Sequence, residues 1–211
     1  MSALLPASLR LIVILDIDAA GTRDLAEVAA AAERGGATML QVRAKALSAG
    51  ALAALVRRVM AATRLPVMVN DRLDVAIATG AAGCHLGQDD LPLAVARTLT
   101  PPGFLLGGSA GDEVEARRAH DGGASFVGVG PIHATGNKPD AGVPIGVAGL
   151  RRVIAAGAPP AVAIGGVGAS DVPALAAAGA VGVAVIGAVL QAGDPERATR
   201  DLRTALDRTL P

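Results

Sequence analysis

Two stretches place carboxylates where they could do chemistry. Gly83-Cys84-His85-Leu86-Gly87-Gln88-Asp89-Asp90-Leu91 reads as a short apolar strand that breaks at Gly87 and delivers Gln88, Asp89 and Asp90 before Leu91-Pro92 opens a helix. Leu65 to Asn70 reads as a second strand, followed by Asp71-Arg72 and a helix over Leu73 to Ala78. Carboxylates at such ends suit a hard divalent cation, and a magnesium is commonly held by one or two carboxylates together with substrate phosphates. Either aspartate alone also fits a helix N-cap. Their shared position favours a ligand site, because equivalent strand ends of a repeated fold lie on one rim, where Asp71 and Asp90 converge.

Other strand ends carry groups suited to phosphate. Gln41, Arg43 and Lys45 share one face at a period of two. A doubly basic face at the end of a buried strand is costly unless it meets anions, although a solvated loop is the plainer reading. Arg43 suits bidentate phosphate recognition and Lys45 acts as a point charge. Ser109, after Gly107-Gly108, offers a hydroxyl or caps the helix that includes Asp112. The longest loop begins with Gly128-Val129-Gly130, runs to about Gly146 and carries Thr135, Asn137 and Lys138; loops of this length are usually lids or binding loops. Gly165-Gly166 and Gly187 follow two later strands, where backbone N–H groups often surround an anion. His133 and His85 have no identifiable acid–base partner and read as packed or hydrogen-bonded residues, and His120 as a surface residue late in a helix. Cys84 reads as a small buried strand residue. The set contains no strong nucleophile. It suits a reaction in which a diphosphate leaves and a metal and cations stabilise its charge.

The elements that must position these groups alternate along the chain. Strands are expected at Leu11–Leu15, Thr38–Val42, Leu65–Asn70, Cys84–Leu86, Phe104–Gly108, Ser125–Gly130, Pro160–Ile164 and Val181–Ile186. Helical stripes include Leu25, Val28, Ala29 and Ala32 in a helix over Thr22 to Arg34, and Leu52, Leu55, Val56, Val59 and Met60 in the next. Further helices are expected near Asp112 to His120, around Val147, after a cap at Ser170, and from Asp194-Pro195 to about Arg208. Eight strands, apolar on both faces and each followed by a helix, describe a buried parallel sheet. The spacing fits one (β/α)8 barrel, a TIM barrel of the α/β class, over residues 1–211 as a single domain. An open doubly wound sheet is the alternative.

Composition narrows the function. The chain of 211 residues has two Phe and no Trp or Tyr, which argues against base stacking on aromatic platforms. A formal net charge of zero gives no field favouring nucleic acid or an acidic membrane. The single cysteine excludes an internal disulfide and is compatible with a reducing cytosol. No segment reads as a signal peptide, and none reaches the ~20 apolar residues that span a bilayer. The expectation is a soluble, cytoplasmic protein whose partners are small phosphorylated molecules, with no nucleic acid and no membrane. A homo-oligomeric state is left open.

Across Leu11 to Leu190 the residues resemble the thiamine phosphate synthase family. The resemblance rests on Gln41-x-Arg43-x-Lys45, Val69-Asn70-Asp71-Arg72, His85-Leu86-Gly87-Gln88-Asp89-Asp90-Leu91, Gly130-Pro131-Ile132, Thr135-x-x-Lys138 and Ala163-Ile164-Gly165-Gly166, in that order. It implies a transferase that joins a hydroxymethylpyrimidine diphosphate to a thiazole phosphate and releases pyrophosphate dissociatively. By the same resemblance Asp71 and Asp90 would bind magnesium. Arg43, Lys45, Asn70 and Lys138 would hold the diphosphate, and Gln41 and Ser109 the pyrimidine. Thr135, Asn137, Gly166, Ile186 and Gly187 would lie on the thiazole phosphate. The chain departs from the family pattern at Ile14-Leu15-Asp16, His133, Asn137 and Gly187, and the last two changes remove two hydroxyls from the thiazole phosphate site. A thiazole tautomerase-like barrel and a non-catalytic binder of thiamine intermediates remain as alternatives.

Overall fold

The computed structural model describes residues 5–137 and 142–210. Strands β1 (Leu11–Asp16), β2 (Met39–Arg43), β3 (Val67–Asn70), β4 (Gly83–Leu86), β5 (Leu105–Ala110), β6 (Phe126–Val129), β7 (Ala161–Ile164) and β8 (Gly182–Val185) pair in parallel, each with the next, and β8 pairs with β1 to close a barrel. Around it run α1 (Leu5–Ser8), α2 (Ile17–Ala20), α3 (Leu25–Gly35), α4 (Ala49–Ala61), α5 (Leu73–Thr79), α6 (Leu93–Leu99), α7 (Glu113–Asp121), α8 (Gly146–Ala155), α9 (Val172–Ala177), α10 (Gly187–Leu190) and α11 (Pro195–Thr209).

The strands are apolar on both faces because each face has its own core. Leu11, Val13, Leu15, Leu40, Val42, Val67 and Val69 belong to the layer between strands and helices, where they meet Leu25, Val28 and Ala32 of α3 and Leu52, Val56 and Val59 of α4. The residues between them along the strands, including Ile12, Ile14, Met39, Met68, Phe126, Val162 and Ala184, form a second cluster. This is the period-two division that separates barrel interior from exterior. Register carries it around the barrel: Ile14 pairs with Gln41, Gln41 with Met68, Asn70 with His85, and His85 with Gly107. The interior set therefore changes from apolar to polar toward the carboxyl ends of the strands. Gly107 makes room for this change, since a Cβ there would lie 2.5 Å from His85 Nδ1.

Two helix starts differ from the sequence expectation. The helix predicted from Thr22 begins at Leu25, because Asp24 accepts from Ala26 N at 2.8 Å and caps it. The short α2 precedes it and ends at Gly21, with φ 60°. Ser170 is not a cap. It lies inside a single 3₁₀ turn, Ala169–Asp171, and it is Asp171 that folds back to accept from Gly168 N at 2.8 Å. Among the described residues no helix is long and apolar enough to cross a membrane.

Candidate active site

The carboxyl ends of the strands open into a cavity of about 980 Å³. Gln41, Arg43, Lys45, Asn70, Asp71, Asp90, Ser109, Thr135, Asn137, Gly166, Ile186 and Gly187 all line it, although they are spread over nearly 150 positions of sequence. Lys138 lies outside the described residues.

Asp71 and Asp90 are not helix caps. The residue flanking α5 is Arg72, without a side-chain cap bond, and the one flanking α6 is Pro92. Asp71 instead has φ 63°, the left-handed conformation that Asp and Asn tolerate better than most residues. Its N–H donates to His85 O at 2.8 Å, which fixes the end of β3 against β4. Asp90 Oδ2 accepts from Gly87 N at 2.7 Å and closes the turn after β4. Burial pushes the Asp71 carboxyl up to about 6, reinforced by a hydrogen bond to Asp90 and its charge and opposed by the charges of Lys45 and Arg43. Two carboxyls this close repel when both ionise, so the pair takes either a proton or a cation.

Arg43 is anchored from below. Its Nη1 forms an ion pair with Asp16 Oδ2, and the two side chains are 11 % and 2 % exposed. Asp16 Oδ1 also accepts from Ala19 N at 2.9 Å, so one carboxylate both starts α2 and aims the guanidinium. Sequence reading did not assign Asp16 to the site. The signal was a charged residue terminating a wholly apolar strand, which is costly unless it is paired.

Ser109 lies within β5 and is not a cap either; Asp112 caps α7 by accepting from Val114 N and Glu115 N, each at 2.8 Å. The Ser109 hydroxyl stands 3.1 Å from His85 Nε2, so His85 faces the barrel interior and steadies that hydroxyl. Glu115, also unassigned by sequence, accepts from Gly111 N at 2.6 Å and Gln88 Nε2 at 3.0 Å. It ties the turn that carries Asp90 to the end of β5. Cys84 is fully buried, and its thiol pKa is pushed up by burial, with the nearby aspartates adding to it. It is an inert core residue, as read from the sequence.

The opposite wall is backbone. Gly165 and Gly166 have φ of 94° and 66°, and a Cβ on either would come within 2.6 Å of Pro131 or 2.8 Å of His133. Their neighbours bond across: Ile132 N donates to Ile164 O and His133 N to Gly165 O, each at 2.9 Å. His133 Nε2 stands 3.0 Å from Asp171 Oδ1, a partner 38 residues along the chain that the sequence does not reveal.

Oxygen donors dominate the Asp71–Asp90 side, and among the described residues no group of three His, Cys, Asp or Glu side chains could enclose a metal. That donor set fits magnesium completed by substrate phosphates better than a metal caged by protein alone. A (β/α)8 barrel with paired carboxylates and cations on one side of its mouth and a glycine-lined wall on the other defines a phosphate-handling barrel enzyme. The comparisons with known proteins narrow the class. Residues 11–189 match the family described as thiamine monophosphate synthase, and the chain belongs to that family. It is 46 % identical over 201 residues to a thiamine-phosphate synthase of Moorella thermoacetica, covering 94 % of this chain and 96 % of that one. It is 43 % identical to one of a Roseiflexus species, over 94 % of this chain and 85 % of the relative. A thiamine phosphate pyrophosphorylase structure from Pyrococcus furiosus superposes with a TM-score of 0.89 at 33 % identity, covering 98 % of this chain and all of that one.

Proposed function

We propose that the chain condenses 4-amino-2-methyl-5-hydroxymethylpyrimidine diphosphate with 4-methyl-5-(2-phosphoethyl)thiazole to give thiamine phosphate and pyrophosphate, or with its carboxylated form to give the same two products and carbon dioxide. The observation that carries the reading is that Asp71 and Asp90 line one cavity with Arg43 and Lys45, whose other wall includes Gly165, Gly166 and Gly187. Arg43, Lys45 and Asn70, with Lys138, hold the diphosphate. Gln41 and Ser109 orient the pyrimidine. Thr135, Asn137, Gly166, Ile186 and Gly187 receive the thiazole phosphate.

The bond between the pyrimidine methylene and the diphosphate oxygen breaks with its electron pair leaving on pyrophosphate. The thiazole nitrogen lone pair then forms the new C–N bond. No protein nucleophile is required. Arg43, preset by Asp16, meets the charge that grows on the leaving group, so little reorganisation falls in the transition state. Asp71 and Asp90 would hold magnesium, which would supply further neutralisation of the pyrophosphate charge. The intact Asp71–Asp90 pair weighs against the tautomerase-like and non-catalytic alternatives. Incubation of the protein with both substrates and magnesium should release thiamine phosphate and pyrophosphate in equal amounts, with loss of both on chelation. Absence of thiamine phosphate with a folded, metal-loaded protein overturns the reading.

A further inference from the structure

One contact at the β6–β8 end has no part in the mechanism above. Gln191, which follows α10, donates from Nε2 to Asn137 Oδ1 at 3.0 Å, joining positions 54 residues apart. Both residues line the main cavity and also the adjoining cavity of about 550 Å³, so the pair stands where the two meet. With Oδ1 occupied, the other half of the amide is turned toward Gly187: a Cβ on Gly187 would meet Asn137 Nδ2 at 2.7 Å and Gln191 Oε1 at 2.9 Å. Gly187 is not among the residues with positive φ. Glycine is therefore not needed there for the backbone; its missing side chain leaves room for the amide pair. By the family resemblance, Asn137 and Gly187 are also the two positions where hydroxyls are usual. The two departures thus form one unit with Gln191.

We infer that Gln191 is a positioning residue that holds Asn137 Nδ2 toward a phosphate monoester dianion at Gly166 and Gly187, so that one oriented amide takes the place of two hydroxyl side chains. The inference rests on reading this end as the acceptor phosphate site. An unguided asparagine amide can present either its donor or its acceptor edge, and only the donor edge suits a dianion. The Gln191 bond to Oδ1 leaves Nδ2 as the edge turned toward Gly187.

The test varies 4-methyl-5-(2-phosphoethyl)thiazole at saturating diphosphate and magnesium. Gln191→Leu should raise the KM for the thiazole about tenfold, the effect of one hydrogen bond to a charged group, with kcat and the diphosphate KM little changed. Gln191→Glu should be worse than Gln191→Leu, because a carboxylate only accepts and would draw Nδ2 away from the anion. Gly187→Ser alone should also weaken thiazole binding by displacing the amides. Asn137→Thr with Gly187→Ser should return the KM to the parent value, and Gln191→Leu added to that pair should do nothing further. Unchanged KM in both Gln191 variants, an equal rise for both substrates, or an undiminished Gln191→Leu effect when Asn137→Thr and Gly187→Ser are both present overturns the inference. Calorimetry with inorganic phosphate separates it from the reaction. Phosphate binding that depends on Gln191 in a protein making no thiamine phosphate keeps the inference and removes the reaction. A protein that makes thiamine phosphate with a KM indifferent to Gln191 does the reverse. No phosphate binding and no turnover removes both.

Discussion

The two sides of the cavity mouth are preorganised by different means. On the β2–β5 side the working groups are charged side chains, and two of them have specific partners, Arg43 in Asp16 and Asp90 in Gly87 N, while Glu115 braces the turn that carries Asp90. On the β6–β8 side the wall is main chain, shaped by the positive φ of Gly165 and Gly166 and by their close approach to Pro131 and His133. A side-chain charge keeps many rotamers and a large desolvation cost, so it needs partners to be ready. A backbone donor is ready once φ and ψ are set. On the proposed function, the first side would concentrate charge on a leaving diphosphate. The second would keep its backbone shape through side-chain changes at Asn137 or Gly187.

The largest expected effect breaks the charged side. Asp71→Asn and Asp90→Asn should each lower turnover by about 10²–10³-fold, the usual loss when one preorganised electrostatic group is removed. Asp71→Asn should at the same time raise thermal stability in metal-free buffer at pH 7–8. The Asp71 carboxyl, normally near 3.8, is pushed up to about 6, so the folded state holds a proton that the unfolded chain has released. Stability therefore falls as pH rises from about 4 to 6 and stays reduced above that. Asn tolerates the left-handed φ and removes this cost, a gain of roughly 1 kcal/mol after allowance for partial exposure. The variant's advantage should vanish below pH 4. Equal melting temperatures of parent and variant at every pH would show that neither burial nor Asp90 penalises the ionised Asp71 carboxyl.

A matched pair compares the two means directly. Asp16→Ala leaves Arg43 largely buried without its partner and should cost about 3 kcal/mol, or roughly 6–12 °C in Tm for a chain of this size. It should also raise the diphosphate KM without touching that of the thiazole. Gly166→Ala imposes a Cβ at φ 66° and 2.8 Å from His133 Cβ, a strain of about 1–3 kcal/mol, and should act on the thiazole KM instead. A common loss of affinity for both substrates in either variant would mean that the two sides do not act independently.

The barrel was legible in the sequence because its strands are unbroken apolar runs and its long helices carry clear stripes. Asp71 and Asp90 were legible because they stand beside strand ends, where the fold places function. What stayed hidden depends on strand register and on loops that meet at the rim. Asp16 and Arg43 are 27 residues apart and meet because β1 and β2 pair in register, while Gln191 and Asn137 are 54 apart in the loops after β8 and β6. The four-residue helices α2 and α10 are too short to show a period. Ser170 resembled a cap because Ser and Asp compete for that role, and the neighbouring Asp171 carboxylate wins by reaching back to Gly168 N. At Thr22 the same competition goes to Asp24.

The smallest effect expected concerns His133, beside the glycine pair of the backbone wall. It carries a titratable ring on the backbone wall, next to the glycine pair, and it invites an acid–base role. Its Nε2 nevertheless faces Asp171 across 3.0 Å, and the two side chains are 48 % and 27 % exposed. Such a pair contributes about 0–1 kcal/mol, less at high salt. Asp171 would keep its bond to Gly168 N through its other oxygen, so the turn after β7 does not depend on the histidine. The hydrogen bond that His133 makes to Gly165 O belongs to its backbone N–H and survives truncation. His133→Ala should therefore leave turnover within about threefold of the parent and shift Tm by no more than roughly 4 °C. Turnover should also keep its pH profile. A loss of turnover as large as that of Asp71→Asn, or the disappearance of a limb of the pH profile, would show that His133 moves a proton, and that the backbone wall includes a chemical group as well as a shape.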